Sequence, residues 1–483
     1  MMVMILLACG GEAPSGDTRG PAPSPPSDTA SPPGCDLADY SGTAVYLDQR
    51  VQASFVGERH DAWAGHAVAC LARDDAGPGT TTGLWAVAAP EFDDDGKVGG
   101  SVFVFQGVGE LAREDAVHTV DGADGENDRV GEGGIDMLSW YGAPAVLGAS
   151  SVSYRDHTNN GLAFLSSMGT KSPVARDIGE SDLLLLGETG PWGGGGQLAQ
   201  LLPLPDLDGD GVADFAVVHD GQRYLDLYLG GTAPEAMASR TPDRRFDRDQ
   251  GAYRAAIGDL NDDGQTDLVH HLLLDGVLSI AMSFGPLLEV DASEGLQADA
   301  MVQGPMEHGV VRDGPGHFSL VADLNADGVD DLVVNTRRVE EDDRGQGEDF
   351  IHAFFGPFAQ GTTRTFDEAD VSFLQAGERS ELSVKEVADH DGDGYEDLVL
   401  VQRLGNEATA CATLRIVPGP ITAGAYTAED AQFTYVGAPG SHVASDVAAC
   451  DLDGDGDEEL VIGNRSWEGT GRAIVVEGGD LQE

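Results

Sequence analysis

Five stretches of the chain set oxygen-bearing side chains at a spacing that can wrap a hard cation. They read Asp206-Leu-Asp208-Gly-Asp210-Gly211-Val-Ala-Asp214, Asp259-Leu-Asn261-Asp-Asp263-Gly264-Gln-Thr-Asp267, Asp323-Leu-Asn325-Ala-Asp327-Gly328-Val-Asp-Asp331, Asp389-His-Asp391-Gly-Asp393-Gly394-Tyr-Glu-Asp397 and Asp451-Leu-Asp453-Gly-Asp455-Gly456-Asp-Glu-Glu459. Calcium takes about six to eight oxygens, and side chains at positions 1, 3 and 5 with a main-chain carbonyl at position 7 can surround one ion. Glycine at position 6 permits the sharp bend, and the carboxylate at position 9 closes the shell. The expected cofactor is therefore Ca2+, at about five sites. A helical calcium hand would instead place Glu at position 12. Here that position holds Val217, His270, Val334, Leu400 and Ile462, inside β-branched and aliphatic runs, so each loop joins two strands.

The elements that must hold these loops recur with them. Successive copies begin 53, 64, 66 and 62 residues apart, a repeat of about sixty residues that fits an array of similar units. A short strand of small residues, such as Ser445 to Cys450, precedes each loop, and an apolar strand follows it. A third strand comes next: Tyr224 to Leu229, Val277 to Phe284, Phe350 to Phe355, Thr413 to Val417 and Arg472 to Val476. Three of these run into Gly285-Pro286, Gly356-Pro357 and Gly419-Pro420, a turn signal at a nearly constant place. A fourth strand closes the unit, as in Val371 to Gly377 and Ala431 to Gly437. Upstream the frame persists without the acidic spacing, in Gly65 to Cys70, Leu84 to Pro90 and Ser101 to Phe105, and again in Gly131 to Leu138, Ala145 to Ser150 and Gly161 to Leu165. No calcium is expected in the first interstrand loops of these two units, Leu71 to Gly83 and Ser139 to Pro144.

Four short antiparallel strands at a fixed period describe a propeller blade. First strands begin near residues 65, 131, 195, 252, 316, 382 and 443, which makes seven blades. The seventh lacks a fourth strand, whereas the amino-terminal run Val51 to Gly57 matches that pattern and stands unclaimed. The fold expected is all-β: a seven-bladed β-propeller of four-stranded antiparallel blades, its last blade closed by an amino-terminal strand. Thr43 to Leu47 also reads as a strand and has no place in this count. Cys70 and Cys450 occupy equivalent positions in blades that this closure makes neighbours, which allows a closing disulfide.

These units resemble the FG-GAP repeats of integrin alpha chains and the VCBS-type repeats of bacterial surface proteins. The resemblance covers roughly residues 43 to 479, rests on the five loops and is weak in the Phe-Gly signature. It implies a seven-bladed propeller with calcium between the first two strands of certain blades. It also implies a partner-binding face opposite the calcium loops, and the polar stretch Arg337 to Glu348 is one segment that could serve such a face.

Residues 1–9 end in Leu6-Leu7-Ala8-Cys9 before Gly10-Gly11, which resembles a bacterial lipobox with Cys9 as the lipidated residue. The charged segment that begins a signal peptide is missing, and a start codon upstream of Met1 is the expectation that follows. Residues 10–42 are rich in Pro, Gly and Ser and form a solvated tether, and residues 43–483 form the propeller. The address implied is the bacterial cell envelope, lipid-anchored at the outer membrane or cell surface, or secretion. No run of about 18 apolar residues occurs, so contact with the membrane is through the lipid alone. Cys35, Cys70, Cys411 and Cys450 remain, allowing three pairings or four free thiols.

The formal net charge is −57, which excludes a nucleic-acid binder that works by neutralising phosphates. Five calcium ions would offset only a small part of it, so the remaining acid is a solubilising surface. Sequence patterns for a nucleophilic serine, a zinc protease helix or a phosphate loop are absent. Gly193 to Gly196 reads as a loop, Asp93-Asp94-Asp95-Gly96 as a solvated turn, His270-His271 as strand residues facing opposite ways, and the five tryptophans as packing between blades. The function expected is a monomeric calcium-binding surface module that binds a protein or polysaccharide. The alternatives are an enzyme acting on polysaccharide or lipid, which would need an acid–base cluster in the central cleft, and a scaffold subunit of an envelope complex.

Overall fold

The computed structural model describes residues 37–40, 42–57, 63–76, 82–90, 99–122, 129–150, 162–168, 174–186, 197–220, 224–230 and 241–247. It continues with 255–274, 277–290, 296–304, 315–339, 347–374, 380–404, 411–438, 444–465, 467 and 470–479. Residues 1–36, with Cys9, Cys35 and most of the tether, lie outside them, as do 91–98 and 187–196.

Seven sheets form a ring, and each runs from an inner first strand to an outer fourth. The inner strands are Val68–Leu71, Ile135–Trp140, Gln197–Leu204, Ala255–Gly258, Pro315–Ala322, Ser380–Ala388 and Asp446–Cys450, for blades 1 to 7 in order. Each contacts the next, and the last returns to the first. The outer strand of blade 7 is Val51–Val56, antiparallel to Arg472–Val476. The amino-terminal strand thus closes the ring, as its match to the other fourth strands predicts. Cys70 and Cys450 form a disulfide across the same seam, with Cα atoms 6.2 Å apart and 380 residues between them in sequence.

The strands are apolar on both faces because both faces are covered by neighbours. On blade 1, Ala86, Ala88, Val102 and Val104 pack with Val146, Leu162 and Phe164 of blade 2. The alternate residues Trp85, Val87, Phe103 and Phe105 pack with Phe55, Val461 and Val475 of blade 7. Alternation thus feeds two cores, one on each side of every blade. Phe55 is 2% exposed, and truncating such a side chain to Ala costs about 3–5 kcal/mol.

The blades differ from the expected four strands in one respect. Five sheets carry a fifth, parallel strand donated by the following blade. Thr363–Thr365 of blade 5 pairs with Ala300–Gln303 of blade 4, and Gly424–Thr427 of blade 6 pairs with Val371–Leu374 of blade 5. Gly109–Leu111 and Val174–Asp177 do the same for blades 7 and 1. Thr43–Tyr46 is the equivalent strand: it runs parallel to Phe433–Val436 of blade 6 and leads into the outer strand of blade 7. Its role follows from the closure, because the link between the third and fourth strands of blade 7 is where the chain ends meet.

Candidate metal centres

Each acidic loop leaves the end of an inner strand and enters the second strand of its blade, Asp214–Asp220, Asp267–Leu274, Asp331–Val339, Asp397–Leu404 or Glu459–Asn464. All five are wired alike. The N–H of the position-6 glycine donates to the position-1 carboxylate in Gly211–Asp206, Gly264–Asp259, Gly328–Asp323, Gly394–Asp389 and Gly456–Asp451, at 2.7 to 3.2 Å. The position-5 N–H donates to the side-chain oxygen at position 3, and the position-7 N–H to the carboxylate at position 5. These bonds curl the side chains at 1, 3 and 5 around one point. The position-6 glycines have φ between 76° and 104°, and position 4 is also left-handed, with Asp262 at 61° and Ala326 at 60° in place of glycine. That second left-handed residue was not legible from the motif, because three loops put Gly there and two do not.

Position 9 does more than the spacing implies. Asp214, Asp267, Asp331 and Asp397 are 0% exposed and Glu459 is 1% exposed. One oxygen of each accepts the position-2 N–H of its own loop, from Leu207, Leu260, Leu324, His390 and Leu452. In four blades the other oxygen accepts an N–H just beyond the third strand, from Gly230, Gly285, Gly356 and Gly419, at 2.7 to 2.9 Å. Three of these glycines belong to the Gly-Pro dipeptides, whose bonds are cis, and Gly230 makes the same contact with Gly231 after it. Burial, then repulsion from the other loop carboxylates, raises Asp267 to about 6 and Asp331, Asp397 and Glu459 to about 7. A carboxylate has about four lone-pair sites, so two backbone bonds leave room for an ion.

The residues fit a hard cation. One oxygen from each of Asp206, Asp208 and Asp210 lie within 4.8 Å of one another, and the same holds for Asp389, Asp391 and Asp393 and for Asp451, Asp453 and Glu459. Oδ1 of Asp389 is buried without a hydrogen-bond partner, a costly position for a carboxylate oxygen unless a cation faces it. The loops of blades 4 and 5 keep the same backbone with Asn261 and Asn325 at position 3. Calcium held here would be ligated by oxygens at positions 1, 3, 5 and 9 and the carbonyl at 7, and it would neutralise clustered carboxylates.

Blades 1 and 2 make the same connection without the acidic spacing, although Asp74 and Asp75 lie in that of blade 1. In blade 2 it shrinks to the two-residue turn Tyr141-Gly142, with φ of 51° and 72°, the mirror-image turn that suits a tight hairpin. Tyr141 Oη donates to Gly230 O at 2.6 Å. In blade 1, Arg73 Nη1 donates to Asp453 O of the blade 7 loop at 2.9 Å. His270 and His271 are buried strand residues, and His270 Nε2 bonds Ser283 Oγ at 3.1 Å. Trp85 and Trp140 are buried and pack between blades. Of the stretch 337–348, residues 337–339 and 347–348 are strand, with Arg337 opposite Asp349 and Arg338 opposite Glu348, and 340–346 lie outside the described residues.

One group escaped the sequence reading. Asp136, Glu386 and Asp446 stand on the inner strands of blades 2, 6 and 7, close enough for their charges to act on one another. Burial, with the charge of Asp446 added, raises Asp136 to about 7 and Glu386 to about 8.

Residues 443–476, which span the first three strands of blade 7, match the FG-GAP repeat family. Among solved structures, the chain is similar to the Dos1 propeller at 8% identity, over 70% of this chain and 71% of that one, with a TM-score of 0.34. It is similar to a PL25 polysaccharide lyase, an ulvan lyase, at 10% identity over 89% and 96%, with a TM-score of 0.41. An α-L-arabinofuranosidase from Lactobacillus brevis is 10% identical over 62% and 90%, with a TM-score of 0.28. No curated protein matches the chain. The chain carries an FG-GAP repeat in a seven-bladed β-propeller.

Proposed function

We propose that the protein is a calcium-stabilised binding module of the bacterial cell envelope, tethered through Cys9 and the segment 10–42. The observation that carries this reading is the shared backbone wiring of five acidic loops on one rim of the ring, together with the unpartnered buried Oδ1 of Asp389 in one of them. With that rim committed to metal, the opposite rim, built by the turns between second and third strands, is the surface that meets a protein or polysaccharide. Calcium has a structural part in this reading: it holds the blades in register and so shapes the far rim. The test is a pull-down from envelope extract with immobilised protein. The reading expects a partner retained in calcium, released by chelator and regained on adding calcium back. Retention that ignores chelator contradicts the structural role of the metal, and no retention under any condition contradicts a binding module.

A second reading, an enzyme, is favoured by Asp136, Glu386 and Asp446. Clustered acids whose pKa values lie near neutral pH suit general acid–base work. Asp136→Asn and Glu386→Gln variants assayed on acidic polysaccharides decide it: activity lost in both supports the enzyme, and no activity in the unaltered protein removes it.

A further inference from the structure

Two pairs of consecutive acidic loops are joined by the acid at position 8, whereas Glu396, the acid at that position in blade 6, makes no such bond to Asp323 of blade 5. The N–H of Asp259, position 1 of the blade 4 loop, donates to Oδ2 of Asp330 in the blade 5 loop at 2.7 Å. The N–H of Asp389 in blade 6 donates in the same way to Oε2 of Glu458 in blade 7 at 3.0 Å. The approach is close: a Cβ on Gly258 would lie 2.6 Å from Oδ2 of Asp330. Main-chain bonds accompany the bridge, from Phe358 N–H to Leu260 O at 2.8 Å and from Gly479 N–H to His390 O at 2.7 Å. Position 8 of blade 4 is Thr266, which offers no carboxylate to blade 3.

We propose that Asp330 and Glu458 are positioning residues that couple neighbouring metal sites, so that the loops of blades 4 and 5 load as one pair and those of blades 6 and 7 as another. The proposal rests on the calcium reading. Position 8 lies between the carbonyl ligand at 7 and the carboxylate ligand at 9. An ion in the blade 5 loop fixes both neighbours of Asp330, and thereby fixes the carboxylate that orients Asp259 one blade earlier. Binding in either member of a pair lowers the ordering cost of the other, which is positive coupling. The blade 3 loop, without a bridging acid, loads alone.

The experiment is a calorimetric titration of Ca2+ into chelator-stripped protein, comparing the unaltered chain with Asp330→Asn, Glu458→Gln and the conservative Asp330→Glu. The unaltered chain is expected to bind four of its five ions with a Hill coefficient above one. Asp330→Asn keeps five ions, weakens two of them about fivefold and removes the steepness from that pair, and Asp330→Glu restores it. A role confined to stability would lower the melting temperature in chelator and leave the affinities alone; that result overturns the coupling, as do affinities and steepness unchanged in both charge-removing variants. Absence of calcium binding by the unaltered chain overturns the calcium reading itself.

Discussion

Blades 3 to 7 and blades 1 and 2 share one frame and solve one problem in two ways. Every blade must fasten its first turn to the blade that follows. Blades 4 to 6 do this with an acidic loop whose position-2 carbonyl accepts an N–H from the next blade, as Leu260, Leu324 and His390 do. Blade 2 uses a tyrosine hydroxyl on Gly230 O. At the blade 7 to blade 1 seam the chain combines Arg73 on the blade 7 loop with the disulfide Cys70–Cys450. The difference teaches that the propeller frame does not require the metal motif. The motif is one of several fasteners, and its acidity leaves carboxylates crowded unless a cation joins them.

The comparison breaks most visibly if calcium is removed. With dissociation constants near ~0.1 mM in about 1 mM calcium, each site stabilises by about 1.4 kcal/mol and five by about 7. That matches a typical folding stability of about 5–15 kcal/mol. Melting with and without chelator is expected to show a large drop, and hydrogen exchange should show protection lost first in blades 3 to 7. An unchanged transition would erase the distinction between the two regions. Removing the other fastener, with Cys70→Ser and Cys450→Ser together, is expected to cost about 2–4 kcal/mol in calcium and in chelator alike. A loss seen only in chelator would mean that the loops already hold that seam.

A smaller effect separates the brace from the ligand. Asp397→Asn turns an amide N–H toward one of the donors, Gly419 or His390, and is expected to cost about 1–3 kcal/mol even in chelator. If the cost appears only in calcium, position 9 acts as a ligand alone. The last effect is graded with pH and lies away from the loops. Glu386 and Asp136 have folded pKa values near 8 and near 7, raised by burial and by Asp446. Their contribution to stability is therefore full below about pH 4 and is lost as pH rises through 7 and 8. Glu386→Gln should thus stabilise the protein relative to the unaltered chain at pH 9 and lose that advantage at pH 5. Equal melting curves at both pH values would place Glu386 in water.

Much of the frame was legible because it is written in short-range pattern. Alternating apolar residues mark the strands, the acidic spacing marks the turns, and Val51–Val56 matches the other outer strands. The fifth strands were not legible. Thr363–Thr365 and Gly109–Leu111 are short and largely polar or small, and their partners lie in the preceding blade, so nothing local announces them. Thr43–Tyr46 was visible as a strand, but its partner Phe433–Val436 is nearly four hundred residues away. The bracing role of position 9 depends on Gly-Pro turns some twenty residues downstream, which the motif does not include. Asp136, Glu386 and Asp446 were hidden by abundance: among 84 acidic residues three more carry no signal until ring closure sets their strands around one axis.

The central claim is that five loops of blades 3 to 7 hold calcium and that blades 1 and 2 hold none. Native mass spectrometry of chelator-stripped protein reloaded with Ca2+ tests it directly. The account predicts five ions on the unaltered chain, and four when Asp389→Asn and Asp391→Asn together disable the blade 6 loop. A mass unchanged by calcium, or five ions still bound after that loop is disabled, would contradict it.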